Sequence, residues 1–135
     1  MLFAQYFDWL AIPGGPSIAR VAPNAVRNRR HATVDTSKLS GYLLNPDHPD
    51  NGGKAHFFRT QGFSIENVSE LVRALRHVAA NGEIVKAVES AHGEKYVVDG
   101  HLESPSGKML AVRTVWVIGH GQDVPRFVTA YPVGR

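Results

Sequence analysis

The chain has no cysteine and only two methionines and two tryptophans among 135 residues. Without thiols there are no disulfide staples, no cysteine nucleophile and no cysteine-ligated zinc. An excess of one charge is also lacking. Fifteen Lys and Arg against twelve Asp and Glu leave a formal net charge of +3, which favours a polyanionic partner without requiring one. Long apolar runs are missing too. The opening "MLFAQYFDWLAIPGG" is interrupted by Asp8, ended by Pro13-Gly14-Gly15 and has no basic flank. It is too short to span a bilayer and lacks the layout of a secretion signal. It is expected to be a short helix or arm docked on the domain. The expected location is cytoplasmic, or a target cell's cytoplasm reached by a route the sequence does not advertise.

With 43% hydrophobic and 20% charged residues, the chain can bury one ordinary core. Residues 12 to 34 are rich in Pro, Gly, Asn and Arg, and Arg27, Arg29, Arg30 and His31 make a basic cluster. This composition reads as a solvated arm or linker, so the expected division is an arm over 1–32 and a single domain over 33–135. Seven histidines are present, but no two stand at an H-x-x-x-H spacing. No metal or other cofactor is expected.

In "VDTSKLSGYLLN", Asp35, Thr36 or Ser37 can cap a short helix whose apolar residues are Leu39, Tyr42 and Leu43. Asn45-Pro46 stops it, because the residue before a proline avoids helical geometry. A second helical piece is expected over about 53 to 61, closed by Gly62. "SIENVSELVRALRHVAANG" is a third, with Val68, Leu71, Val72, Leu75 and Val78 on one stripe and Ser64 as its cap. The period then changes to two. "EIVKAVES", "KYVVDGHL", "KMLAVRTVWVIG" and "RFVTAYP" read as strands joined by short turns, which predicts an antiparallel meander. The fold class is therefore α+β: amino-terminal helices packed on one face of a carboxy-terminal antiparallel sheet of about four strands.

Polar residues stand among the apolar ones on these elements. Lys54 and His56 follow the Gly52-Gly53 turn. Leu110, Val112, Thr114, Trp116 and Ile118 share one face of the long strand; Met109, Ala111, Arg113, Val115 and Val117 share the other. In the last strand Phe127, Thr129 and Tyr131 alternate with Val128 and Ala130. Neither face of the long strand is wholly apolar, so pattern alone does not assign its burial. Threonine and aromatics also suit strands for packing reasons alone.

The string "VDTSKLSGYLLNPDHPDNGGKAHFF", then "GF", "KYVVDG", "VRTVWVI" and "VPRFVTAYP", resembles a small bacterial domain family described only as uncharacterised, across residues 33 to 132. A second resemblance reaches chemistry. "KAHFFRTQGF", followed by a helix, a strand meander and a T-x-W strand, is similar to the ribonuclease module of colicin D. That module belongs to the barnase, EndoU, colicin and RelE-like group, which cleaves RNA without metal. By this resemblance Lys54 and His56 occupy the lysine-histidine cluster, and Thr114 and Trp116 the serine-x-tryptophan pair. Here Ala55 intervenes between lysine and histidine, and threonine replaces serine.

RNA carries its own nucleophile, the 2′-hydroxyl, so cleavage needs only a base, an acid and groups that bear charge around the phosphate. The resemblance implies His56, Lys54 and Thr114 as catalytic residues: His56 as base, Lys54 for the developing charge, Thr114 as donor. Trp116 and Tyr131 are expected to stack on bases. Arg113, Thr129, Lys95 and Arg59 complete the expected substrate-binding set. RNA and a cognate immunity or antitoxin protein are the expected partners; a non-catalytic RNA- or protein-binding module is the alternative. Residues two apart on a helix diverge by roughly 200°, so Lys54 and His56 share a phosphate only if the turn leaves Lys54 at the helix start. If His56 points away, His101, His120 or Lys95 must serve.

Overall fold

The computed structural model describes residues 26–51 and 53–133. The expected amino-terminal arm and Gly52 lie outside the described residues. A 3₁₀ turn, Arg29–His31, comes first. α1, Thr36–Lys38, begins at Asp35, whose carboxylate accepts the Ser37 backbone N–H at 3.1 Å. It runs straight into a wider π-helical turn, Leu39–Leu43, closed by the Leu44 N–H donating to the Leu39 carbonyl at 2.7 Å. The expected short helix is thus two windings in series, and the wider one buries Leu39, Tyr42 and Leu43 together.

α2 spans Lys54–Thr60, after Gly53 in the left-handed region at φ 89°. α3 spans Val68–Asn81 and buries Leu71, Leu75, Val78 and Ala79. A 3₁₀ turn, Ile65–Asn67, precedes it, and the Asn67 side chain accepts the Ser64 N–H at 2.8 Å. The expected Ser64 start therefore falls on that turn rather than on α3 itself.

β1 (Glu83–Ser90), β2 (Gly93–Glu103), β3 (Met109–Gly119) and β4 (Arg126–Pro132) form one antiparallel sheet in the order β1-β2-β3-β4. The α+β class and the four-strand meander are as the sequence predicts. Gly93 turns β1 into β2 at φ 126°, where an added Cβ would strike the Ile118 carbonyl and Gly119.

The helices cover one face. There Tyr96, Val98, Leu110, Val112, Trp116 and Ile118 pack on Leu39, Leu43, Phe58, Leu71, Leu75 and Val78 in a single core. Gly100 lets α3 come close, since a Cβ there would lie 3.0 Å from Val78 Cγ1.

β4 departs from simple alternation. Its register with β3 shifts between Val115 and Trp116. Phe127 and Ala130 both join the helix-side core, while Val128 and Tyr131 pack with Val115 on the other face. Thr33 adds a parallel bridge beside β4: its N–H donates to the Pro125 carbonyl, and its own carbonyl accepts the Phe127 N–H at 3.0 Å. Val26 and Ala32, 3% and 2% exposed, sit in the core. The folded unit therefore reaches back past the expected boundary at residue 33.

Candidate functional site

Thr114 and Trp116 are both fully buried on the helix side of β3. The Trp116 Nε1–H donates to Thr114 Oγ1 at 2.7 Å, and the Thr114 hydroxyl donates to the Val98 carbonyl at 2.8 Å. The Trp116 ring also meets Phe127 edge-on at 5.5 Å. Hydroxyl and indole thus satisfy one another inside the core, as buried polar groups must. Neither is exposed to solvent, which does not fit the expected roles of Thr114 as phosphate donor and Trp116 as stacking ring.

The expected Lys54–His56 pair does not form either. Ala55 and Phe58 turn α2 into the core, Lys54 and Phe57 face a cleft of about 340 Å³, and His56 is exposed. This is the divergence that helical geometry imposes on residues two apart. Lys54 Nζ donates to the Asn51 carbonyl at 3.1 Å and lies 5.8 Å from the centre of the Tyr42 ring. Burial pulls its pKa below the ordinary lysine value, against the opposing pull of Asp50. Arg59 is occupied by the Leu44 carbonyl at 3.0 Å. Thr129 is buried at β4, its hydroxyl 2.9 Å from the Tyr42 phenol. Lys95 is 5% exposed, and burial, with Lys86 adding to it, lowers its pKa. It stands opposite Val117, four residues along β2 from Asp99, hence about 13 Å away.

The sheet face turned away from the helices is divided. At one end Val115, Val117 and Val128 are buried. At the other, register puts Glu83, Asp99, Arg113 and Tyr131 in one row across β1, β2, β3 and β4. Asp99 grips Arg113 with both carboxylate oxygens, Oδ1 from Nε at 2.7 Å and Oδ2 from Nη2 at 2.9 Å. The two side chains remain 26% and 37% exposed. The hydrogen bond and charge of Asp99, and in smaller part Tyr131, hold the guanidinium above its ordinary pKa.

Of the five N–H donors on a guanidinium, Asp99 engages two and fixes the plane of the remainder. His101 stands on the same face, opposite Ala111, a diagonal neighbour of Arg113 at about 7–8 Å between backbones. It lines a cleft of about 500 Å³ with Glu83, Asp99, His77 and Met109. Tyr131 lines the smaller cleft with Lys54 at the far end of the row. A held guanidinium, a phenol and an imidazole thus stand on one part of the outer sheet face, with the Lys54 ammonium lining a cleft beside Tyr131, an arrangement able to hold a phosphodiester and move protons around it. Among the described residues, no group of three His, Asp or Glu is placed to hold a metal ion.

A family profile, DUF6883, described as a domain of unknown function, matches residues 25–134. The chain belongs to this family. The DUF6883 match covers both Val26 and Ala32, which are buried in the core. No curated protein matches the sequence. Among solved structures, the chain is similar to one from a contact-dependent growth inhibition toxin–immunity protein complex of Klebsiella pneumoniae 342. The likeness has a TM-score of 0.61 at 19% identity and covers 80% of this chain and 98% of that one. At that identity the likeness is one of fold.

Of the residues singled out in the sequence, the DUF6883 fold gathers Arg113, Tyr131 and Lys54 along one strip and leaves His56, Thr114, Trp116, Thr129, Lys95 and Arg59 outside it. Asp99, unmarked by the sequence, and His101, there only a substitute for His56, complete the strip. Their signal lies in "KYVVDGHL", where Lys95, Asp99 and His101 share one face and Tyr96, Val98 and Leu102 the other.

Proposed function

We propose that this domain is a toxin-type, metal-independent endoribonuclease whose reacting phosphate lies on the open half of the outer sheet face. The observation that supports this reading is the cross-strand row Asp99–Arg113–Tyr131, with His101 beside it and Lys54 at its end. A protein of similar fold stands in a contact-dependent growth inhibition toxin–immunity protein complex, which supports a toxin-associated role.

In the proposed reaction the 2′-hydroxyl oxygen attacks phosphorus and its proton passes to His101, an imidazole being suited to accept one near neutrality. Arg113, held flat by Asp99, bears the charge that grows on the non-bridging oxygens, where a fixed donor array has most effect. Lys54 supports the neighbouring phosphate. The bond to the 5′-oxygen breaks and that oxygen takes a proton from Tyr131. The products are a 2′,3′-cyclic phosphate and a 5′-hydroxyl. A cognate immunity protein with an acidic surface would suit the chain's formal net charge of +3.

The test is incubation of the purified domain with total tRNA and a synthetic RNA in EDTA, followed by analysis of the RNA ends. Cyclic phosphate ends are expected; intact RNA would overturn the reading. One observation favours a second reading, a non-catalytic binding module: the burial of Thr114 and Trp116 removes the pair on which the colicin resemblance relied. Salt-sensitive RNA binding with no cleavage would be its signature.

A further inference from the structure

Arg73, Arg76 and His77 recur at three and four along α3 and are all exposed, so they form one stripe. The sequence alone explains them as cations suited to the negative end of a helix dipole. Two features go beyond that explanation. Arg76 Nη2 donates to the Arg30 carbonyl at 3.4 Å, which places the Arg76 guanidinium beside a residue carrying another. Among the described residues, Arg30, Arg73 and Arg76 take part in no ion pair. Glu70, three residues before Arg73, is the one acidic neighbour on the stripe, and gathered like charges repel one another where too few opposite charges offset them. Such a cluster is explained when a partner supplies the missing negative charge.

The position of the stripe indicates which partner. His77, at its end, lines the same cleft as Asp99 and His101. The cationic stripe and the open half of the outer sheet face therefore meet at His77. From this continuity we propose that the α3 stripe, with Arg30, is a track for the phosphates of single-stranded RNA flanking the strip of Arg113 and His101. The inference rests on the ribonuclease reading for its substrate, but the track itself is a binding claim and can be tested without cleavage. An acidic protein would also find this stripe attractive, but a protein dock would not need to continue into the cleft.

The probe is a short single-stranded 2′-O-methyl RNA, which lacks the reacting hydroxyl. Its binding is followed by fluorescence anisotropy over a range of salt for the parent and for Arg73→Gln/Arg76→Gln. Each single-strand phosphate contact contributes about 0.7 to the slope of log affinity against log salt. Losing two should flatten the slope by about 1.4 and weaken binding about 25-fold at 0.1 M salt. Cleavage of a dinucleotide, too short to reach the track, should not change. Thermal unfolding of the double variant should occur at or slightly above the parent's temperature, because both side chains are exposed and two like charges are removed.

Unchanged affinity and slope would overturn the proposal, as would a parent that does not bind the probe. Unchanged RNA binding together with lost capture of an acidic protein would reassign the stripe as a protein dock. Weakened probe binding in the double variant, with a parent that cleaves no RNA, would sink the nuclease reading and leave the track standing.

Discussion

The hydrogen bond between Trp116 and Thr114 makes a quantitative prediction that separates architecture from chemistry. Thr114→Val keeps the shape of the side chain and removes its oxygen. The Trp116 N–H, fully buried, then has no acceptor, and the Val98 carbonyl loses a donor. An orphaned buried donor costs about 1–3 kcal/mol and a lost neutral hydrogen bond about 1 kcal/mol, so the substitution should destabilise by about 2–4 kcal/mol. Trp116→Phe loses the same bond and leaves a partial cavity, at about 2 kcal/mol. The double variant removes both polar partners and should cost less than the sum by about 1–2 kcal/mol. Urea unfolding of all four proteins measures the cycle. With a domain stability of about 5–15 kcal/mol, each variant should still fold. Additivity within about 0.5 kcal/mol would refute the reasoning. So would a Thr114→Val protein of parental stability that has lost RNA cleavage, which would return Thr114 to the reacting groups.

Two further outcomes follow from the described contacts. Asn51 is 2% exposed; its amide donates to the Tyr42 and Leu43 carbonyls at 2.7 and 3.1 Å, and its oxygen accepts the Ala55 N–H at 2.8 Å. Asn51→Ala should therefore cost about 3 kcal/mol by chemical unfolding and speed amide exchange at Ala55; loss below about 1 kcal/mol would contradict this. Lys95 has its pKa lowered from 10.5 by burial. Between that lowered value and 10.5 the unfolded chain binds more protons than the folded one, so this group makes stability rise with pH there. Lys95→Met should be more stable than the parent at pH 7, the gap narrowing as pH approaches 10.5; a gap independent of pH would refute the assignment.

The strands were legible because period-two alternation and turn residues such as Pro105-Ser106-Gly107 are local signals. The helix-side face of β3 was even grouped correctly in the sequence, residue by residue. The pattern could not say which group was covered, since Thr114 interrupts one and Arg113 the other. The π-helical turn and the β4 bulge left no mark in composition. Both arise from packing against distant residues: Tyr42 reaches Thr129, and Val115 faces a register shift.

The site was half legible for the same reason. Lys54, Arg113 and Tyr131 stood out by type. Asp99 passed unnoticed and His101 stood only as a substitute base, because their meaning depends on register, a non-local quantity that pairs Asp99 with Arg113 across fourteen residues. The colicin likeness drew attention to His56 and Thr114, where helical phase and burial exclude a shared phosphate.

The central claim is that the reacting strip lies on the open half of the outer sheet face. The most direct measurement is the rate of RNA cleavage in EDTA by the parent, Arg113→Ala, His101→Ala and His56→Ala, each checked for native unfolding behaviour. The account predicts at least a hundredfold loss for Arg113→Ala and His101→Ala, on the order expected for removing an electrostatic or proton-transfer group, with His56→Ala at the parental rate. Loss confined to His56→Ala would contradict it.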